Sequence, residues 1–192
     1  MRAAIVLGGG RSTRMGRDKL ARERDGVSLL ALTCRAAARF AGRVVVAGHE
    51  QPELAVEFVL EDPPFGGPVA GIAAGVDALA AADPDAEPRH PPATEVLLLA
   101  GDLANADAVV DLLAAAAMGE DGVVLEDEQG WPQLLAGRYR LGALRRAVDA
   151  AGGVRDLSVR RLLGGLSLGL VPAPSTVTAD VDTPDQAALF GF

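Results

Sequence analysis

The chain alternates short, continuously apolar runs with longer segments rich in Ala, Leu and Arg. Apolar runs of about 4–8 residues are typical of strands buried on both faces, and apolar positions spaced near 3.6 residues are typical of helices. The pattern predicts strands at 3–7, 43–47, 55–60, 95–100, 122–126 and 166–171, and helices at 27–40, 69–82, 106–118, 138–151, 154–163 and up to 190. This alternation predicts a three-layer α/β/α fold with a mostly parallel, Rossmann-like sheet.

A glycine-rich and cationic segment directly follows the first predicted strand. It reads Leu7-Gly8-Gly9-Gly10-Arg11-Ser12-Thr13-Arg14-Met15-Gly16-Arg17-Asp18-Lys19. Three arginines and one lysine stand against one aspartate, so the segment carries a formal charge of +3 in a chain of net charge −8. Consecutive glycines allow φ > 0 and leave no Cβ in the way of a ligand, so backbone amides can converge on an acceptor. We therefore expect a polyphosphate to bind here.

Two well-known phosphate-binding motifs do not fit this segment. A P-loop needs Gly-Lys followed by Ser or Thr, but Gly16 is followed by Arg17 and Asp18. The dinucleotide-binding fingerprint needs a third glycine at the position of Thr13. From these residues alone, a solvated glycine-rich turn with incidental surface arginines stays open as the alternative.

A third pattern, L-x-G-G-x-S-x-R-M-G-x-D-K, does fit, and it fixes nine of thirteen positions between Leu7 and Lys19. This pattern resembles the signature loop of the MobA-like nucleotidyltransferases, a family that includes molybdenum cofactor guanylyltransferase. A second segment, in which Asp62 precedes Gly67-Pro68-Val69-Ala70-Gly71, is similar to the acidic residue and G-P-x-A-G of that family. The two matches lie about fifty residues apart and are independent.

Two later stretches extend the resemblance. Asp102 follows the apolar run 95–100, as an aspartate follows the fourth strand in the family, and 179–185 is similar to its N/D-x-N/D-T-P near the C-terminus. The residues of that stretch also suit a helix start, with Thr183 as N-cap and Pro184 in the first turn. The family usually has D-x-P after the fourth strand, whereas Ala104 stands at the proline position here. This departure affects the acceptor pocket and leaves the carboxylate in place.

The resemblance implies a fold of the nucleotide-diphospho-sugar transferase type and transfer of GMP from GTP to a phosphorylated acceptor, with release of pyrophosphate. It implies molybdopterin or the molybdenum cofactor as acceptor, and Mg²⁺ bound by Asp102 with Asp180 or Asp182 nearby. Arg14 and Lys19, which would neutralise the phosphates, form the expected catalytic set with Asp102. The expected substrate-binding residues are Leu7, Gly8, Gly9, Gly10, Arg11, Ser12, Lys19, Asp62, Gly67, Pro68 and Asp102.

The nucleotide and the reaction class each leave an alternative open. Family members that use GTP resemble L-A-G-G at the loop start and relatives that use CTP resemble x-A-A-G; Gly9 matches the first form and Gly8 matches neither. Asp62 is placed to accept hydrogen bonds from guanine N1–H and N2–H₂, which favours GTP. The alternatives are a nucleotidyltransferase of the same fold that uses CTP or another NTP, and a non-catalytic nucleotide-binding regulatory module.

The acceptor side offers weaker candidates. The stretch 130–136 resembles the family strand that lies near the acceptor, so Trp131 and Pro132 are candidate wall residues, with a structural role for Trp131 as the alternative. Arg155, Arg160 and Arg161 are candidates for holding acceptor phosphates, and surface solvation is their default role.

Composition restricts the remaining possibilities. The acidic balance and an aromatic fraction of 4% argue against a nucleic-acid surface or an anionic membrane surface. Cys34 is the only cysteine, which excludes an intramolecular disulfide and favours a buried core thiol. No apolar stretch approaches the roughly 20 residues of a membrane span, and no signal peptide is visible. We expect residues 1–192 to form a single cytoplasmic domain; the oligomeric state stays open.

Overall fold

The computed structural model describes residues 1–9, 19–61, 66–81, 94–181 and 183–192, with only the backbone of Lys19 and Pro184. The strands in these ranges are Arg2–Leu7 (β1), Glu23–Arg24 (β2), Val27–Ser28 (β3), Arg43–Ala47 (β4), Glu57–Val59 (β5), Glu95–Ala100 (β6), Gly122–Glu126 (β7), Pro132–Arg140 (β8) and Leu168–Pro172 (β9). The helices are Leu29–Phe40 (α1), Pro68–Ala80 (α2), Ala106–Ala115 (α3), Leu141–Ala150 (α4), Val159–Leu163 (α5), Ser175–Thr178 (α6) and Pro184–Leu189 (α7), and a 3₁₀ turn covers Lys19–Ala21. None of the helices in the described part of the chain is long and apolar enough to cross a membrane.

Seven strands form one sheet in the order β5-β4-β1-β6-β8-β7-β9. All neighbours pair in parallel except β8, which is antiparallel to both β6 and β7. The carboxyl ends of all the other strands therefore lie at one edge of the sheet, which we call the carboxyl edge, together with the start of β8. Their amino ends lie at the opposite, amino edge. The predicted mostly parallel sheet is confirmed.

Helices cover both faces of this sheet, as the uninterrupted apolar strands predict. In β1, Ala4 and Val6 belong to the core cluster that includes α1 and α3, whereas Ala3 and Ile5 belong to the cluster that includes α2 and α4. Gly75 lets α2 lie close to β1, because a Cβ there would come within 2.8 Å of Ile5 Cγ2. The three-layer α/β/α architecture follows from these two separate cores.

The apolar runs predicted several strands well. The bounds of β4, β6 and β7 agree with the predicted ranges, and β5 is the central part of the predicted strand 55–60. Cys34 is buried in α1, and burial raises the pKa of its thiol to about 12, so the thiol stays protonated at neutral pH. The predicted core role of this cysteine is confirmed.

The prediction of a helix from residue 27 was wrong in its first two residues. Val27–Ser28 pairs with Glu23–Arg24 in a small antiparallel hairpin whose turn is Asp25-Gly26, with φ angles of 55° and 73°. Asp-Gly is a favoured pair for such two-residue turns, so the signal was present in the sequence. The helix α1 begins after Ser28, whose Oγ accepts a hydrogen bond from Ala31 N at 3.2 Å.

Two further helix predictions began too early. Residues 138–140 continue β8, and α4 begins only at Leu141. Arg138, the first residue of the predicted helix, is a strand residue whose side chain is buried and whose Nη2 donates to Ala116 O at 2.6 Å. Periodicity cannot show that a charged side chain is buried. Of the predicted helix 154–163, only Val159–Leu163 is helical, because Ser158 caps it by accepting from Arg161 N at 3.2 Å.

Candidate functional site

Three neighbouring strands are each followed by a glycine at the carboxyl edge: Gly8 after β1, Gly48 after β4 and Gly101 after β6. Backbone hydrogen bonds tie these segments together. Gly8 N donates to Ala47 O at 3.0 Å, and Gly101 N donates to Leu7 O at 3.1 Å. A Cβ on Gly48 would lie 2.6 Å from Gly8 C, and one on Gly101 would lie 2.7 Å from Leu7 O. Only glycine permits such close approach of the backbones. Sequence reasoning missed Gly48 and did not use Gly101, although glycine directly after an apolar run was the available signal.

Gly8, which departs from the alanine of the family pattern, has a steric explanation in this fold. A Cβ on Gly8 would lie 2.5 Å from Val46 Cγ1 and 3.3 Å from Leu30 Cδ2. Both neighbours are fully buried, and a β-branched valine has few rotamers to which it can move. The residue at position 8 therefore fits the core of this chain and carries no information about the nucleotide base.

The two described glycines of the cationic segment differ from what we predicted. Neither Gly8 nor Gly9 adopts a positive φ. The amide of Gly8 donates to Ala47 O within the sheet and is therefore not available to a ligand, and the predicted contact of Gly8 with the substrate stays a prediction. Gly9 is exposed, and a Cβ there would lie 3.3 Å from Ala47 O. Any amide donors for a ligand in this segment therefore begin at Gly9.

The segment after β6 is joined to the C-terminal part of the chain. Leu103 pairs with Asp180 in an isolated antiparallel bridge, and Val181 N donates to Asp102 O at 3.0 Å. Asp102 and Asp180 are both partly buried. Folding therefore brings two of the predicted metal ligands, which are far apart in the sequence, onto adjacent backbone segments at the carboxyl edge.

The missing proline at position 104 is replaced by hydrogen bonds. Ala104 N donates to Ala179 O at 3.0 Å, which a proline could not do because it has no N–H. Ala104 O accepts from Arg24 Nη1 at 3.4 Å, and the Arg24 guanidinium lies 4.8 Å from the centroid of the Phe192 ring. The turn that follows Asp102 is thus fixed without the proline of the family pattern.

The backbone of Lys19 lies at the same edge. Leu20 is buried, and a Cβ on Gly101 would lie 3.4 Å from Leu20 Cδ2, so the 3₁₀ turn packs beside the residue that precedes Asp102. This contact brings the end of the cationic segment close to the segment that carries Asp102. The predicted residues outside the described ranges are Gly10, Arg11, Ser12, Arg14, Asp62 and Asp182.

The predicted Gly67 and Pro68 lie at the start of α2. Gly67 has φ 90° and ψ −179°, a conformation that favours glycine, and Pro68 is the first helical residue. Both are exposed. A Cβ on Gly71, in the first turn of α2, would lie 3.3 Å from Ala47 Cβ and 3.5 Å from Leu7 Cδ2, at the ends of β4 and β1, so this helix start also lies on the carboxyl side of the sheet.

A cavity of about 300 Å³ opens beside Asp180. Its walls come from the ends of β6 and α6, the start of β8 and the first turn of α5, and they include Leu103, Trp131, Pro132 and Arg160. Trp131 and Pro132, the predicted wall residues of the acceptor side, line this cavity, and their contact with an acceptor stays a prediction. Trp131 is 53% exposed, which excludes a core-filling role. Among the three arginines proposed for the acceptor side, Arg160 lines the cavity.

Asp102 and Asp180 have the chemistry of a divalent-cation site, because Mg²⁺ and similar hard cations prefer carboxylate oxygens. In the ranges that the structure describes, no group of three or more His, Cys, Asp or Glu side chains is arranged to hold a metal ion. The third predicted ligand, Asp182, lies outside these ranges. The metal site therefore stays a prediction, with a donor set that suits the ion.

Comparisons with known proteins show the family of this chain. The family model of the MobA-like NTP transferase domain matches residues 4–166. A molybdenum cofactor guanylyltransferase of Rhodopseudomonas palustris (strain BisB5) is 35% identical over 134 residues, which cover 64% of this chain and 64% of that protein, slightly less than two thirds of its length.

Two solved structures have a similar fold. Rv0371C from Mycobacterium tuberculosis H37Rv, in complex with manganese, has a TM-score of 0.60 at 19% identity and covers 99% of this chain and 97% of its own. The 2-C-methyl-D-erythritol 4-phosphate cytidylyltransferase of Thermus thermophilus has a TM-score of 0.61 at 17% identity and covers 97% of this chain and 96% of its own. At these identities the likeness shows the fold alone.

Proposed function

The chain belongs to the family of MobA-like NTP transferase domains, and from this premise we propose that it transfers GMP from GTP to molybdopterin or the molybdenum cofactor, with release of pyrophosphate. Membership of the family supports nucleotidyl transfer, and the name of the Rhodopseudomonas relative supports the guanylyl group and the acceptor. The observation that carries the proposal is the meeting of Gly9, Asp102 and Asp180 at the carboxyl edge, beside a cavity large enough for a second substrate.

The proposed reaction joins two phosphates. An oxygen of the acceptor phosphate forms a bond to the α-phosphorus of GTP, and the bond from that phosphorus to the bridging oxygen of the β-phosphate breaks. Pyrophosphate leaves with the electron pair of the broken bond. Such a transfer needs positioning and charge neutralisation more than a covalent catalyst. We assign charge neutralisation to Arg14 and Lys19, and approach of the nucleotide to the exposed backbone at Gly9.

We propose that a divalent cation, Mg²⁺, acts together with Arg14 and Lys19 in neutralising the phosphates. Asp102 with Asp180 or Asp182 would hold it, since these residues supply carboxylate oxygens on adjoining segments. When bound, the ion would neutralise charge on the phosphate oxygens. The manganese complex of the mycobacterial protein, which has the same fold, supports a role for a divalent ion.

CTP-dependent transfer is the second candidate. A cytidylyltransferase has the same fold, and Asp62, which we expect to contact guanine, lies outside the described residues. A non-catalytic regulatory module is the third candidate. The turn after Asp102, where the chain departs from the family pattern, is held by its own hydrogen bonds, which supports an intact site.

Thermal unfolding with each nucleotide and Mg²⁺ tests the choice of base. At one hundred times its Kd, a ligand stabilises the folded state by about 2.7 kcal/mol, which for a chain of this size raises Tm by about 5–10 °C. We expect this shift with GTP and a much smaller one with CTP or ATP. Release of pyrophosphate from GTP that requires molybdopterin would then establish the transfer. Protection by CTP would support the second candidate, and protection by GTP without release of pyrophosphate would favour the regulatory module.

A further inference from the structure

We propose that Arg160, oriented by Trp131, binds the phosphate group of the acceptor in the cavity beside Asp180. The identity of the acceptor rests on the proposed function. To that function the inference adds Arg160 as a residue that binds the acceptor and Trp131 as a positioning residue that holds Arg160 in place.

The two side chains both line the cavity and already form a pair. The guanidinium carbon of Arg160 lies 5.1 Å from the centroid of the Trp131 ring, within the range of a cation–π contact. A guanidinium that stacks on a ring through its flat face keeps its N–H groups in the plane of the group, where they can donate two parallel hydrogen bonds to a phosphate. The stack therefore orders the arginine without using the donors that a phosphate needs.

The hairpin that carries Trp131 is rigid because one carboxylate organises it. Asp127 Oδ1 accepts from the backbone N–H groups of Gln129 and Trp131, both at 2.9 Å, and its Oδ2 accepts from Gln133 Nε2 at 2.8 Å. Asp127 N also donates to Trp131 O at 3.0 Å, and Gly130 supplies a φ of 82°. Because the indole is attached to an ordered turn, it can serve as a preformed platform.

Arg160 stands on an equally ordered element. Ser158 caps α5, and Arg160 O accepts from Gly164 N at 2.9 Å. The platform and the cation therefore come from two separately fixed segments of the cavity wall, and neither needs to order when the ligand binds.

The lining of the cavity indicates the chemistry of its ligand. Leu103, Leu134 and Val159 give it mostly apolar walls, and Arg160 is the cation among the lining residues that the structure describes. A volume of about 300 Å³ is at the small end for ligand pockets and suits one ring system. Apolar walls with one cation, Arg160, and one carboxylate, Asp180, suit a flat heterocycle whose single phosphate is held by the arginine. The triphosphate of the nucleotide needs the greater charge of the cationic segment.

Calorimetric titration of 6-hydroxymethylpterin phosphate into the full chain tests the inference. We expect Arg160→Ala and Trp131→Ala to lower its affinity at least about tenfold, since each removes part of a charge-assisted contact. Trp131→Phe, which keeps a ring for the stack, should retain most of the affinity. Arg161→Ala is the matched control, because this neighbouring arginine is outside the cavity walls. Unphosphorylated 6-hydroxymethylpterin should bind to all variants equally weakly.

Tryptophan emission provides a readout that is independent of activity. Trp131 is the only tryptophan of the chain, so its emission reports the pair directly. Arg160→Ala should change the emission of the free protein and its quenching by acrylamide, and Arg161→Ala should leave both unchanged. Identical emission in the unaltered protein, Arg160→Ala and Arg161→Ala would show that Arg160 and Trp131 do not stay in contact in solution. This result would overturn the inference.

Steady-state kinetics separates this inference from the proposed function. With GTP and molybdopterin, Arg160→Ala should raise the KM for the acceptor at least about tenfold and leave the KM for GTP within about twofold. Unchanged KM values in an active protein would overturn the inference and leave the function intact. The protein could instead bind the pterin phosphate through Arg160 and Trp131 and yet transfer no guanylyl group. This result would support the inference and reject the proposed function. Full affinity in Arg160→Lys would reject the orienting role of Trp131, because lysine cannot stack in this way.

Discussion

The two edges of the sheet hold their charged residues by opposite means. At the carboxyl edge, backbone hydrogen bonds place Asp102 and Asp180 on adjacent segments, and both remain partly exposed. At the amino edge, Arg138 is 4% exposed and its guanidinium lies 3.7 Å from Glu95 and 5.7 Å from the centroid of the Phe40 ring. Contacts of the backbone thus fix the positions of these two aspartates. Placement through side-chain pairing uses the charge for packing.

The amino-edge cluster is also incompletely satisfied. Arg2 approaches both Glu95, at 3.5 Å, and the Phe40 ring, at 4.5 Å. Within the described residues, Glu95 Oε2 and Arg138 Nε are buried without a hydrogen-bond partner. A buried ion pair of this kind is retained because removing one partner is worse than keeping both. The comparison teaches that buried charges at the amino edge stabilise the fold, whereas partly exposed carboxylates at the carboxyl edge are suited to binding a ligand.

Asp102→Asn gives the largest expected effect and tests the functional half of this comparison. We expect pyrophosphate release from GTP with molybdopterin to fall at least about a hundredfold, as removal of one electrostatic group at a reacting centre typically does. The free energy of unfolding, measured in urea, should change little because the backbone contacts of Asp102 persist. Asp149→Asn, an exposed carboxylate on α4, is the control. A variant that unfolds would make Asp102 a structural residue and remove the contrast between the edges.

Arg138→Ala tests the structural half. It leaves Ala116 O without its donor and Glu95 with one cation fewer, so we expect the free energy of unfolding to fall by about 2–3 kcal/mol. Turnover per folded molecule should stay normal. Arg138→Met, which refills the volume with an apolar side chain, should recover part of the loss. Loss of turnover in a folded Arg138→Ala protein would mean that the amino edge communicates with the site.

Gly8→Ala tests a residue that belongs to both the core and the site. Overpacking against Val46 should lower the free energy of unfolding by about 1–3 kcal/mol. Val46→Ala makes room for the new methyl group, so the double variant should be more stable than the sum of the single changes predicts. Additive losses in this double-mutant cycle would show that Val46 is not the obstacle.

Thr183→Ala gives the smallest expected effect. Thr183 Oγ1 accepts from Gln186 N at 3.2 Å, and Gln186 Oε1 accepts from Thr183 N at 3.0 Å, which forms a capping box at the start of α7. Loss of this cap should lower the free energy of unfolding by about 1 kcal/mol. The dependence of turnover on Mg²⁺ should not change. A marked shift in that dependence would show that the cap also positions the 180–182 segment.

The sequence predicted the strands better than the boundaries between successive strands and helices. The bounds of β4, β6 and β7 follow from continuous apolar runs, because a strand buried on both faces has almost no polar positions. The start of α4 was predicted three residues too early because periodicity does not show where β8 ends and the helix begins. The hairpin at Asp25 and Gly26 was missed although its turn residues were visible. That residues 1–192 form one cytoplasmic domain stays a prediction.

By itself the sequence determined the α/β class, the family and some of the residues at the carboxyl edge, because these depend on local patterns and motif spacing. Only the tertiary structure decided what several of them do. It showed that Gly8 is required by Val46, that the Ala104 amide replaces the expected proline, and that Trp131 and Arg160 stack. Each of these contacts joins segments that are distant in the sequence, and their distances are set by how helices and strands pack, which no local pattern encodes.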